Sequence, residues 1–222
     1  MSKTAQKPAQ VNPEAEAQRK KTQKKIITYI AVVLVLGACI GGFFGYRAAQ
    51  SGKASKAMFT AEEMFADGDF NTVIKGDSTG KSMSMVTVAD KYSSTDGGNL
   101  AKLYVGLAYA QQGKYEEAKK YLEKFDAQGD EMVSNMAKAA LGNVYVSLGD
   151  KERGAKTLEQ AAKDADNIVV SPISLIQAGE VYESLGKKEK ALEMYTLVKT
   201  NYAYSPQSGE IDKYIERVNA SK

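Results

Sequence analysis

Enzyme chemistry needs side chains that can move a proton, hold a metal or carry a covalent intermediate, and this chain offers few of them. It has no histidine, no tryptophan and one cysteine, Cys39. Without histidine there is no Ser-His-Asp triad, no Cys-His dyad and no His-ligated zinc or haem. A lone cysteine excludes an internal disulfide and a cysteine metal cluster. Gly76-Asp77-Ser78-Thr79-Gly80-Lys81-Ser82 has the flavour of a phosphate loop, but only three residues separate its glycines where that loop requires four. No apolar strand precedes it. Asp96-Gly97-Gly98 and Gly129-Asp130-Glu131 read as turns rather than cation sites. Glu180 and Glu183 lie one helical turn apart, which puts both carboxylates on one surface. We expect no catalysis, no cofactor and no metal.

The charge is unevenly distributed. Residues 1–25 hold seven Lys/Arg and two acids, residues 26–46 hold no charge, and residues 47–222 hold 23 Lys/Arg against 25 Asp/Glu. The net charge of +3 therefore belongs to a short tail. With Pro8, Pro13 and almost no large apolar side chain, that tail cannot bury enough surface to fold and reads as disordered. Its cluster needs no nucleic acid to explain it.

The uncharged run, Ile26 to Tyr46, spans roughly 32 Å as a helix at about 1.5 Å per residue, which matches a hydrocarbon core of roughly 30 Å. It reads as a single transmembrane helix over 26–46; a secretory signal has a shorter apolar region. Five basic residues crowd positions 19–25, so the positive-inside bias leaves the N-terminus in the cytoplasm and residues 47–222 across the membrane. In a bacterium this is an inner-membrane protein with a periplasmic domain. Gly37, Gly41 and Gly45 form two overlapping G-x-x-x-G patterns, a surface for helix–helix contact and a route to a homodimer. Leu36-Gly37-Ala38-Cys39 resembles a bacterial lipobox, so a lipoprotein lipidated at Cys39 is the competing reading.

Beyond the anchor the sequence repeats. Gly106, Gly142 and Gly179 are 36 and 37 residues apart; Tyr109, Tyr145 and Tyr182 keep that spacing, as do Gly113, Gly149 and Gly186. A small residue lets two helices approach, the tyrosine fills the space between them, and the second glycine suits a left-handed helix C-terminus. Ala118, Gly154 and Ala191 allow close packing of the second helix. Lys151 and Lys188 stand where Tyr115 begins that helix. A degenerate unit over 52–93 precedes these, with Gly68 as its turn and an insertion around Gly76 and Gly80. Helical repeats are expected near 99–132, 135–168 and 172–205, then a capping helix over 206–220 with Ile211, Tyr214, Ile215 and Val218 on one face.

This pattern resembles the tetratricopeptide repeat, a helix–turn–helix unit of about 34 residues, and implies an all-α solenoid that works by binding protein. By that resemblance the concave groove falls on Leu100, Leu103, Leu107 and Ala110, then Met136, Ala139, Asn143 and Val146, then Ile173, Ile176, Glu180 and Glu183. Some relatives grip acidic C-termini with Lys and Asn at such positions. Here Leu103 and Leu107 stand instead, and the groove suits an apolar or basic segment. The layout as a whole, a short tail, one anchor and an exported repeat domain, is similar to the ancillary subunit family of the bacterial Sec translocon. That likeness implies a scaffold whose partners are a translocon, a periplasmic chaperone or an envelope-assembly protein.

Overall fold

The computed structural model describes residues 13–77, 79, 83–127 and 130–220, with side chains described from residue 35 onward except at 36. Gly80 to Ser82 and Gly129, singled out above, lie outside the described residues. Ten α-helices and one 3-10 turn follow one another among the described residues, without a strand. They are α1 (Pro13–Ala66), α2 (Phe70–Lys75), α3 (Met85–Lys91), α4 (Asp96–Gln111), α5 (Tyr115–Leu122), α6 (Glu131–Ser147), α7 (Lys151–Ala165), α8 (Ser171–Ser184), α9 (Lys188–Asn201), the 3-10 turn (Pro206–Glu210) and α10 (Ile211–Ala220). The chain divides into two units, residues 1–49 and 50–222.

In the first unit, α1 begins at Pro13, inside the tail expected to be disordered. Proline suits a first helical position, and the Glu-, Ala-, Gln- and Lys-rich stretch behind it has high helix propensity without needing a core. Val35, Ile40, Phe43, Phe44 and Tyr46 are exposed. Cys39 is exposed and free. The β-carbon positions of Gly37, Gly41 and Gly45 have nothing within 4 Å. No helix among the described residues is long and apolar enough to cross a membrane; the side chains of 26–34 and 36, half of the uncharged run, lie outside the described residues.

The second unit is built from helix pairs, α4–α5, α6–α7 and α8–α9, each packed on the next. They run from Asp96 to Leu122, Glu131 to Ala165 and Ser171 to Asn201. Every pair turns through the same backbone device. Gly113, Gly149 and Gly186 have φ of 71°, 89° and 70°. The N–H of the following residue donates back to the carbonyls of Tyr109, Tyr145 and Tyr182 at 2.9, 3.0 and 2.9 Å. This six-residue closure satisfies carbonyls that the helix end leaves open, at a left-handed position that is cheap only for glycine. Gly68 repeats it with φ 78° and a bond from Asp69 N to Met64 O at 2.9 Å. Around this turn the end of α1 buries Ala54, Met58 and Ala61 in one cluster with Val73 and Ile74 of α2 and Met85, Val88 and Ala89 of α3.

Within the pairs the small residues do what their spacing predicts. A β-carbon on Gly106 would stand 2.6 Å from Leu122 Cγ, and one on Gly142 would stand 2.9 Å from Leu158 Cγ and 3.2 Å from Gly154 O. Ala118 and Ala191 are fully buried in the facing helices. Asp96-Gly97-Gly98 is not a turn but the start of α4, capped by Thr95, whose Oγ1 accepts from Gly98 N at 3.0 Å. Its glycines let that helix end lie against Ala54 and the Tyr92 carbonyl. Asp130 likewise caps α6, accepting from Met132 N and Val133 N.

The tyrosines do more than fill their own pair. Arg153 stacks on the Tyr145 ring at 3.9 Å from within the same pair, but the Tyr145 hydroxyl donates to Glu123 of the preceding pair at 2.7 Å. Tyr182 donates to Glu159 of its preceding pair at 2.8 Å. They are seams between repeats as well as filling. At the end of the stack Ile211 and Val218 bury one face of α10 with Tyr195 and Val198 of α9. The expected cap over 206–220 is divided into a 3-10 turn and this helix.

Candidate protein-interaction surface

The surface most exposed to a partner is the row of first helices: the end of α1, then α4, α6 and α8. Neighbouring first helices touch in one register. Asn143 Nδ2 donates to Gln177 Oε1 at 3.2 Å, joining α6 to α8. Tyr104 lies near the Glu62 carboxylate and packs on Phe65 at 5.3 Å between ring centres, joining α4 to α1. Counted from the turn glycines, Glu62 and Asn143 occupy one position of the repeat, and Tyr104 and Gln177 another. The same register aligns Leu100, Met136 and Ile173, thirteen residues before Gly113, Gly149 and Gly186.

The predicted groove residues separate into two groups. Met136 and Ile173 are 54% and 42% exposed, Glu180 is exposed, and Leu100, Leu107 and Asn143 are half-buried. The others are engaged inside the protein. Leu103 is buried with Ala118, Leu122, Ala137 and Val144. Val146 rests on Gly154, where a β-carbon would come within 2.4 Å of its Cγ2. Ala110, Ala139 and Ile176 are half-buried against the helix-pair cores. Glu183 is held by the capping helix: Arg217 Nη2 and Nε reach its two oxygens at 2.5 and 3.2 Å, and Tyr195 donates to it at 2.5 Å. Burial pushes the Glu183 carboxyl up, but the bonds from Arg217 and Tyr195 outweigh it and hold it below the usual range.

Two exposed apolar residues join this surface that the repeat positions alone did not name. Phe59 on α1 is 75% exposed, and Met132, one turn before Met136, is 49% exposed. Met58, half of whose turn is shared with Phe59, forms the floor of a depression of about 390 Å³ together with Ser55, Phe59, Glu62, Asp96, Gly97 and Leu100. Phe59 stands nine residues before Gly68, as Tyr104 does before Gly113; extending the register into the degenerate unit is the signal that finds it.

The lysines of α4 and α6 are engaged with neighbouring groups. Lys102 reaches Ser93 O and Asn99 Oδ1, and Lys138 pairs with Asp164 on α7. α8 has no basic residue. Larger depressions lie between α6 and α7, where Arg153 pairs with Glu123 and Glu152 with Lys187, and beside Tyr202, whose hydroxyl donates to Asp166 at 3.1 Å. Among the described residues no group of three carboxylates or cysteines could hold a metal ion.

No curated protein sequence matches the chain. Among solved structures it is similar to a putative kinesin light chain from Podospora anserina with nearly identical TPR-like repeats, at a TM-score of 0.58 and 14% identity over 76% of this chain and 86% of that one. It also matches the crystal structure of MamA at a TM-score of 0.49 and 20% identity, over 72% and 92% of the two chains. The first of these likenesses is one of fold. A family model described as a tetratricopeptide repeat-like domain matches residues 20–209. With its four glycine turns and stacked helix pairs, the chain belongs to the tetratricopeptide repeat-like domain family.

Proposed function

We propose that this protein is a non-enzymatic scaffold, anchored by residues 26–46 in a bacterial inner membrane, that holds another polypeptide against its first helices on the periplasmic side. The observation that carries the reading is the exposed apolar row of Met136 and Ile173, with Phe59 and Met132 beside it. Isolated exposed apolar side chains are ordinary, but a row aligned along a solenoid's inner helices marks a binding face. The anchor rests on the charge-free run and the basic cluster before it. Sec translocon and chaperone handover is the role that the layout suggests, by analogy.

The test has two arms. Protease added outside spheroplasts should digest the repeat domain and spare the basic tail. Mass spectrometry of the mature protein should find that tail intact. Digestion of the tail with the repeats protected reverses the orientation, and a mature N-terminus at a lipidated Cys39 replaces the anchor with a lipoprotein.

A further inference from the structure

The depression at the α1–α4 junction has a specific chemistry. Its floor is apolar, from Met58, Phe59 and Leu100, and two carboxylates, Glu62 and Asp96, stand at its sides. No lysine or arginine lines it. Phe59 offers an open aromatic face at 75% exposure. Glu62 lies near Tyr104, and a carboxylate has about four acceptor sites. Asp96 lies in the first turn of α4 and is exposed.

An apolar floor, a free aromatic ring and two carboxylates fit one side chain better than any other. Arginine stacks its guanidinium on an aromatic face, lays its methylenes on apolar surface and forks to carboxylates. Along the same register come Met136 and Ile173, both exposed and uncharged, and then Glu180, exposed and without an ion pair among the described residues. Acid at both ends and apolar surface between them repel an acidic segment and leave a polar one with nothing to bury.

Building on the binding reading above, we infer that the occupant of this face is an arginine-bearing apolar segment of a partner polypeptide, its arginine stacked on Phe59 between Glu62 and Asp96 and its apolar side chains on Met136 and Ile173. Both carboxylates are exposed and lie outside the buried core, so neutralising them leaves the core residues in place.

The experiment uses the full chain in detergent micelles and short fluorescein-labelled peptides read by fluorescence polarisation. One peptide alternates arginine with leucine, a second replaces arginine by glutamate, and a third replaces leucine by serine. Only the arginine–leucine peptide should bind, and added salt should weaken it. Glu62→Gln combined with Asp96→Asn should lower its affinity about tenfold, the loss expected of one charge-assisted contact of roughly 1.4 kcal/mol. Phe59→Ser, at an exposed position, should do the same with an unchanged circular dichroism spectrum. Equal binding of the glutamate–leucine peptide, or full affinity in both variants, overturns the proposal. A photo-crosslinking amino acid in place of Met136, in intact cells, separates this from the broader reading. An adduct with another polypeptide, alongside peptides that bind without regard to charge, leaves the scaffold standing and removes the arginine. No adduct and no peptide binding removes both, and an adduct of two copies of this chain gives the face to self-association and refutes the inference.

Discussion

Gly179→Ala is a single-methyl change whose sign the packing decides. In an unconstrained helix it would stabilise by about 0.8–1 kcal/mol through propensity. Here the added carbon would stand 2.4, 2.7 and 3.0 Å from Cε1, Cζ and Cδ1 of Tyr195. That ring has no room to swing aside. Tyr195 is fully buried, its hydroxyl bonds Glu183 at 2.5 Å, and its ring packs on Tyr214 at 5.2 Å between centres. Overpacking of this kind costs about 1–3 kcal/mol, so the net loss should be about 0–2 kcal/mol, toward the upper end because the ring is pinned. Gly52→Ala is the control: Gly52 is helical with nothing within 4 Å of the added carbon, and the change should stabilise by up to about 1 kcal/mol. Urea unfolding of the full chain in micelles, followed by far-ultraviolet circular dichroism, compares them. In a Tyr195→Leu background the steric term should fall away and Gly179→Ala should turn neutral or favourable. A Gly179→Ala protein as stable as Gly52→Ala, or the same loss in both backgrounds, would refute the close approach.

Other outcomes follow from the hydroxyl–carboxylate pairs. Burial, then the bond to Glu123, pushes the Tyr145 hydroxyl up to about 12. A folded pKa raised above the ordinary value of 10 leaves its stabilisation whole below pH 10 and removes it as pH rises toward 12. Tyr145→Phe should cost about 1 kcal/mol at neutral pH and flatten the alkaline branch of a pH–stability curve; an unaltered branch would place the titration elsewhere. Glu183 has the opposite sign, because its lowered pKa contributes stability above the ordinary carboxyl range that is lost as pH falls through the folded value. Glu183→Gln should loosen α10 at neutral pH and abolish the acid-induced change in tyrosine near-ultraviolet circular dichroism, and a variant that retains that change would disprove it.

Periodic features were legible because each is a local solution to one steric problem. Gly113, Gly149 and Gly186 could be assigned from spacing, since a left-handed helix end selects glycine wherever it occurs. Gly106 and Gly142 followed from a different need, since two helices this close leave no room for a β-carbon. What spacing could not give was which first-helix residues remain free. Val146 is taken up by Gly154, a partner that stands where most repeats carry alanine. Glu183 is taken up by Arg217, 34 residues away in an element outside the repeat. The tyrosine hydroxyls reach back 22 and 23 residues into the preceding pair, a contact set by how pairs stack rather than by how each folds. Phe59 was missed because its unit is interrupted after α2. The start of α1 was hidden by composition: lack of apolar residues argues against a core, not against a helix.

The tyrosine–carboxylate seams also bear on how such a molecule could lengthen. The middle pair carries both halves of the joint, Tyr145 facing backward and Glu159 facing forward. A tandem copy of it would meet each neighbour with matching chemistry. The last pair presents Thr196 in the place of Glu123 and Glu159, and its outer side is already occupied by α10. Duplication of an interior segment would therefore reproduce the joint, while accretion at the C-terminal end would meet a hydroxyl in place of the carboxylate.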